Sequence, residues 1–209
     1  MRTSNKNKQT LYYALQSDEK LPIYDGFYTD EDGNQYPLDT GEKEYVWVQL
    51  DDAFGKNLVY LTGDFNYNIP FGEKRINISP KVFSGDKHLI SARKAKDFEI
   101  KSYRNLALNV NDNHENTSCF PHAYANVETK GEAVFAAKNA IDGVTANECH
   151  GEWPYDSWGI NRNPNAEMTL DFGREVEIDR IIIYLRADFP HDNWWKKMTV
   201  TFSDGEEKE

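Results

Sequence analysis

The sequence predicts an all-β chain, a β-sandwich with a few short helices. Three observations carry this. Short runs rich in β-branched and aromatic residues recur between Gly, Pro, Asn and Asp punctuation. Only two segments have even a weak helical pattern. No internal repeat suggests a solenoid or propeller.

In chain order, residues 1–44 are polar and rich in turn signals, with Asp30-Glu31-Asp32-Gly33-Asn34 reading as a hairpin tip. Residues 45–92 read as short antiparallel strands: Tyr45-Val46-Trp47-Val48-Gln49-Leu50, Leu58-Val59-Tyr60-Leu61 and Arg75-Ile76-Asn77-Ile78. Residues 94–108 form a connector in which Phe98, Tyr103 and Leu106 could share one side of a short helix. Residues 132–141 are a second helical candidate, stopped by Asp142-Gly143, where Gly can take the left-handed position. Strands follow at Met168-Thr169-Leu170-Asp171-Phe172, at residues 178–185 and at residues 198–202, with turns at Phe172-Gly173-Arg174 and Ser203-Asp204-Gly205. The run Ile181-Ile182-Ile183-Tyr184-Leu185 is nearly all apolar, as expected of a strand buried on both faces.

Charge narrows the partners. Thirty-five Asp and Glu against 24 Lys and Arg leave a net charge of −11. Such a chain repels phosphate backbones and anionic membranes, so no nucleic acid is expected, whereas a neutral sugar is not penalised. No apolar run approaches the roughly 20 residues that span a bilayer, so no membrane span is expected. The apolar stretch Leu11-Tyr12-Tyr13-Ala14-Leu15 is too short for a signal-peptide core. That predicts a cytoplasmic chain, or a secreted one if a leader was removed. Cys119 and Cys149 read as ordinary free thiols, since one pair makes no disulfide framework.

Four pieces then occur in order: Asn105-Leu106-Ala107; Ala137-Lys138-Asn139-Ala140-Ile141-Asp142-Gly143; Leu170-Asp171-Phe172-Gly173; and Ile178-Asp179-Arg180-Ile181-Ile182-Ile183-Tyr184. Together they resemble the discoidin, or factor V/VIII C-type, superfamily, whose pattern has an Asn-Ala-x-Asp-Gly loop, a Trp-containing loop, an Asp-Leu-Gly turn and an Ile-x-x-Ile strand. The resemblance covers roughly residues 103–205, and residues 118–195 also resemble bacterial proteins described as carbohydrate-binding. It implies a galactose-binding-like jelly roll that binds ligand through loops at one end. The implied division is a β-rich N-terminal region, 1–95, of unassigned role, and a discoidin-like sandwich, 96–209. There are two departures. The loop after Asp142-Gly143 is long, and the chain stops where the family's jelly roll runs on. The second implies either an incomplete sandwich or a homo-oligomer that pairs the open edge.

The candidate ligand site lies in two clusters, residues 150–162 and 186–195. They supply His150, Trp153, Trp158, Arg162, Arg186, Asp188, His191, Trp194 and Trp195. Aromatic faces suit the C–H face of a pyranose, and planar polar groups read its hydroxyls. The competing reading makes the tryptophans core plugs and the arginines loop staples. The resemblance also implies a structural Ca²⁺ at the Asp-Gly loop, with oxygens from Asp142, Thr145 and Asn147; the alternative is that Asp142 only forms the turn.

Catalytic readings are weaker. Glu152, Asp156, Asp188 and Asp192 could form a glycosidase pair, but chance proximity is expected among 35 acidic residues, and Cys149, His150 and His191 could bind zinc, but their spacing matches no standard site. The expected function is a non-catalytic carbohydrate-binding module. The alternatives are a module for protein or lipid surfaces, or part of a carbohydrate-active enzyme.

Overall fold

The structure is a computed structural model, which describes residues 43–63, 65, 67–85, 88–146, 153–185 and 194–209. The chain is β-rich, with antiparallel pairing throughout and a single α-helix among the described residues.

The largest sheet has four strands. β1 (Glu44–Gln49) pairs with β2 (Asn57–Leu61) in the register Val46 to Val59, and with β3 (Ser91–Lys94) in the register Val48 to Ala92. β4 (Cys119–Phe120) adds to the far side of β2, giving the order β3-β1-β2-β4. The sheet therefore takes three strands from the N-terminal half and one from beyond residue 96. Alternation explains β1: Val46 and Val48 point into a core with Val59, Leu61, Ala92 and Cys119, while Tyr45, Trp47 and Gln49 are half-buried. Central β2 is buried along almost its whole length. Arg174 staples the outer face, lying 4.7 Å from the Tyr45 ring centroid and 4.9 Å from that of Tyr60.

After β3, the helix α1 (Asp97–Ile100) is one turn long. Glu99 accepts the Lys96 N–H at 2.8 Å and pairs with Arg93, which holds its carboxyl well down, to about 2. Phe98 and Tyr103, expected to share a helix face, are 70% and 82% exposed.

A second sheet pairs β5 (His122–Ala125) with β6 (Met168–Asp171). Its apolar side joins Ala123 and Leu170 to Ala137, Ile141, Ala107 and Trp158. The third is a hairpin of β7 (Val200–Thr201) and β8 (Glu207–Lys208) about the expected turn at Gly205.

Three expected elements differ. The segment 75–78 is not a strand: Gly72–Arg75 is a 3-10 turn. The Arg75 guanidinium holds it by donating to the carbonyls of Pro80 and Val82, and Asn77 donates inward to Asn139 Oδ1 at 2.8 Å. Residues 132–141 are not one helix but two 3-10 turns, Ala133–Phe135 and Ala137–Ala140, broken by extended Ala136 (φ −68, ψ 148). Residues 178–185 are neither paired nor buried, and Ile181, Ile182, Ile183, Tyr184 and Leu185 are 44–66% exposed. No described strand lies alongside them, so apolar character alone does not place them inside.

Candidate functional site

The loop around Asp142 is built from local rules. The turn Ala137–Ala140 buries Ala137, and Ile141 enters the core. Asp142 Oδ1 then accepts the Val144 N–H at 2.8 Å, and Gly143 has φ +86. A Cβ on Gly143 would stand 2.9 Å from Leu108 Cδ1, so glycine is required for both conformation and space. Asp142 is thus a turn-forming residue.

Its carboxylate has a neighbour the sequence did not suggest, Asp156. Both Asp156 oxygens are buried, and no donor reaches them. Burial, followed by the neighbouring Asp142, pushes the Asp156 carboxyl up to about 9, and burial also raises Asp142. The two oxygen-rich groups can hydrogen-bond only when they share a proton. Lys138 lies close by; its positive charge opposes both rises, while burial lowers its own pKa. Thr145 is exposed, and Asn147 lies outside the described residues. The carboxylates that meet here are therefore those of Asp142 and Asp156.

Of the nine expected ligand residues, His150, Arg186, Asp188 and His191 lie outside the described residues, as do Cys149, Glu152 and Asp192 of the catalytic alternatives. The others fall into two kinds. Trp158 belongs to the core: it packs on the Ala123, Ala137 and Ile141 cluster, and its indole N–H donates to the Val127 carbonyl at 2.9 Å. It also links the two clusters, because the rings of Trp158 and Trp195 meet edge to face with centroids 5.9 Å apart. Trp153, Trp194 and Trp195 show surface, at 37%, 71% and 38% exposure. The Trp153 backbone N–H donates to the Ile76 carbonyl at 3.0 Å, which ties this loop to the N-terminal half. Arg162 is exposed on a turn where Asn161 (φ 48) and Arg162 (φ 57) are both left-handed. The Asn161 N–H is anchored on Thr129 Oγ1 at 2.9 Å. The Arg162 side chain has no partner among the described residues.

The sequence also gave no sign of a polar interior behind β4 and β5. Asp112, fully buried, accepts from Asn116 Nδ2 at 2.9 Å and from the Ala123 N–H at 2.8 Å, and holds His122 Nδ1 at 2.7 Å. That carboxylate raises the His122 pKa against the lowering effect of burial. Asn109 donates to the Pro121 carbonyl at 2.7 Å and accepts from Asn57 Nδ2 at 3.1 Å. Cys119 is sealed in the core, and burial pushes its thiol up. The bonds that join Asp112, His122, Asn116 and the Ala123 N–H make a buried structural network.

Comparison with protein-family models, curated proteins and solved structures finds no match. No helix among the described residues is long and apolar enough to cross a membrane.

Proposed function

We propose that this chain is a non-catalytic carbohydrate-binding module built on a jelly-roll sandwich, with Trp194 and Trp195 as its stacking platform. One observation carries the reading. Trp158, fixed in the core, meets Trp195 at 5.9 Å, next to a Trp194 that is 71% exposed. A braced indole with an open neighbour offers an apolar face at little conformational cost, which is what a pyranose ring needs. Arg162, exposed and without a described partner, supplies forked donors for hydroxyls or a uronate carboxylate. His150, Arg186, Asp188 and His191, which lie outside the described residues, belong to the same two sequence clusters and to the same proposal. Calcium belongs to the same proposal as a structural ion at Asp142 and Asp156, where orphaned buried oxygens favour a cation.

A glycan array on the full chain, followed by affinity electrophoresis on any hit, tests this. Trp194→Ala and Arg162→Ala should each weaken binding about tenfold or more, a loss of about 1.4 kcal/mol or more, with melting unchanged. Binding of the array hit that is unaltered in both variants would remove the site. Identical melting in Ca²⁺ and in EDTA would remove the ion alone. A second reading, a protein-interaction module, is favoured by the exposed run 181–185.

A further inference from the structure

β1 ends at Gln49, and Asp51 turns the chain toward β2. The Asp51 carbonyl accepts the Phe54 N–H at 3.1 Å, and its Oδ1 accepts the Ala53 N–H at 2.8 Å. The remaining oxygen, Oδ2, sits 2.6 Å from His88 Nδ1, across the chain from the loop before β3. Both side chains are buried, His88 to 8% and Asp51 to 2% exposure.

The imidazole is satisfied at one nitrogen only. With the Nδ1 proton donated to Asp51, the lone pair lies on Nε2, which is buried and has no partner. Protonating both nitrogens leaves an orphaned N–H at the same place. Neither state is met by the protein alone, and a buried orphan is costly. A carboxylate behind one imidazole nitrogen is also how metal-binding histidines are oriented, with the other nitrogen left for the ion. A second carboxylate is at hand. Ligand-type atoms of Asp51, Asp52 and His88 all lie within 4.8 Å of one another, and Asp52 is exposed. Its only described bond, from the Leu89 N–H, is long at 3.4 Å, so the Asp52 carboxylate is weakly committed.

We propose that Asp51, Asp52 and His88 form a site for a divalent transition metal of the zinc class. His88 and Asp52 are direct ligands, Asp51 is the carboxylate that fixes the imidazole, and water fills the open side. One imidazole with carboxylates suits zinc or manganese; calcium takes six to eight oxygens and has no call for an imidazole. The site is independent of the sugar-binding reading and shares no residue with it.

The experiment is calorimetric titration of the EDTA-treated, dialysed full chain with Zn²⁺, paired with a melting curve and the visible spectrum of the Co²⁺ form. Saturable one-site binding that raises the melting temperature is expected. Asp52→Asn, an exposed change, should lower affinity about tenfold or more. His88→Asn should do the same and abolish the cobalt bands. His114→Ala, at another place, should leave binding intact. Absence of saturable binding of both Zn²⁺ and Mn²⁺ overturns the proposal, and so does unchanged affinity in Asp52→Asn. If His88→Asn fails to fold, the Asp52 variant decides.

Discussion

Replacing Asp156 by Asn should stabilise the protein at alkaline pH and do little in acid. Two unit charges about 4 Å apart repel by about 4 kcal/mol at an effective dielectric of about 20. Asp142 and Asp156 are close enough to share a proton, and the Asp156 oxygens have no other donor. The folded pair therefore keeps a proton that the unfolded chain releases near pH 4. Between that pH and about 9 the folded state binds more protons than the unfolded state, so this contribution to stability is full below about pH 4 and is lost as pH rises. Lys138 offsets part of the repulsion, since it lowers both carboxyls. An asparagine amide donates to Asp142 without needing a shared proton. The expected gain at pH 9 is about 1–3 kcal/mol, the cost of an unsatisfied buried polar group. That corresponds to a rise of several degrees in melting temperature. The assay is thermal melting from pH 5 to pH 9 in a metal-free buffer, so that no cation screens the pair. A variant destabilised equally at every pH, or a parent whose stability climbs through this range with the variant parallel to it, would refute the shared proton.

Three further outcomes follow from the same structure. Gly173→Ala should destabilise by at least about 1 kcal/mol, because Gly173 has φ +66 and a Cβ would lie 2.4 Å from the Phe120 ring; urea unfolding reads this, and a neutral result would show that the Phe172-Gly173-Arg174 turn is placed wrongly. Cys119 should resist iodoacetamide in the folded protein and react only after denaturation, as peptide mapping would show; rapid native labelling would contradict a sealed core. His122→Gln should cost more at pH 6 than at pH 9, because the raised pKa contributes stability below about 6.5 that fades as pH climbs through the folded value; a constant penalty in chemical denaturation would mean that the bond to Asp112 is not charge-assisted.

What was legible in the sequence was local. β1, β2 and β6 were visible because alternation and β-branching act over a few residues, and the turns at Gly143, Gly173 and Gly205 because only glycine accepts their positive φ cheaply. What was hidden depends on partners remote in sequence. Arg75 donates onward to the Pro80 and Val82 carbonyls, and Asn77 reaches Asn139, so a segment with strand-like composition closes into a turn. Residues 132–141 have helical composition, yet Ala136 is extended and splits them. Asp112 and Asn109 read as surface residues by type, although each is buried and bonded. Asp51 and His88 stand 37 positions apart with no motif between them. The candidate site shows the same limit: the tryptophans were found by residue type, but the approach of Asp156 to Asp142 depends on the fold.

The segment 178–185 shows how far hydrophobicity can be pushed as a signal. Tyr103 holds its start, with the hydroxyl 3.0 Å from Asp179 Oδ1, and the residues beyond lie open, Ile182 at 62% and Tyr184 at 66%. A run of this kind suits a strand when another strand receives it and a contact surface when none does, because apolar area gains only from being covered. A sugar covers such a run poorly: aliphatic side chains offer neither an aromatic plate nor directional polar atoms. The tryptophans at 194 and 195 offer the plate, so the two patches suit different partners. Sugar binding should therefore be sensitive to Trp194 and indifferent to Ile182, and a protein contact should show the reverse. Ile182→Ser beside Trp194→Ala separates the two readings in one assay, since neither exposed change removes a core contact and each deletes the feature that one reading needs.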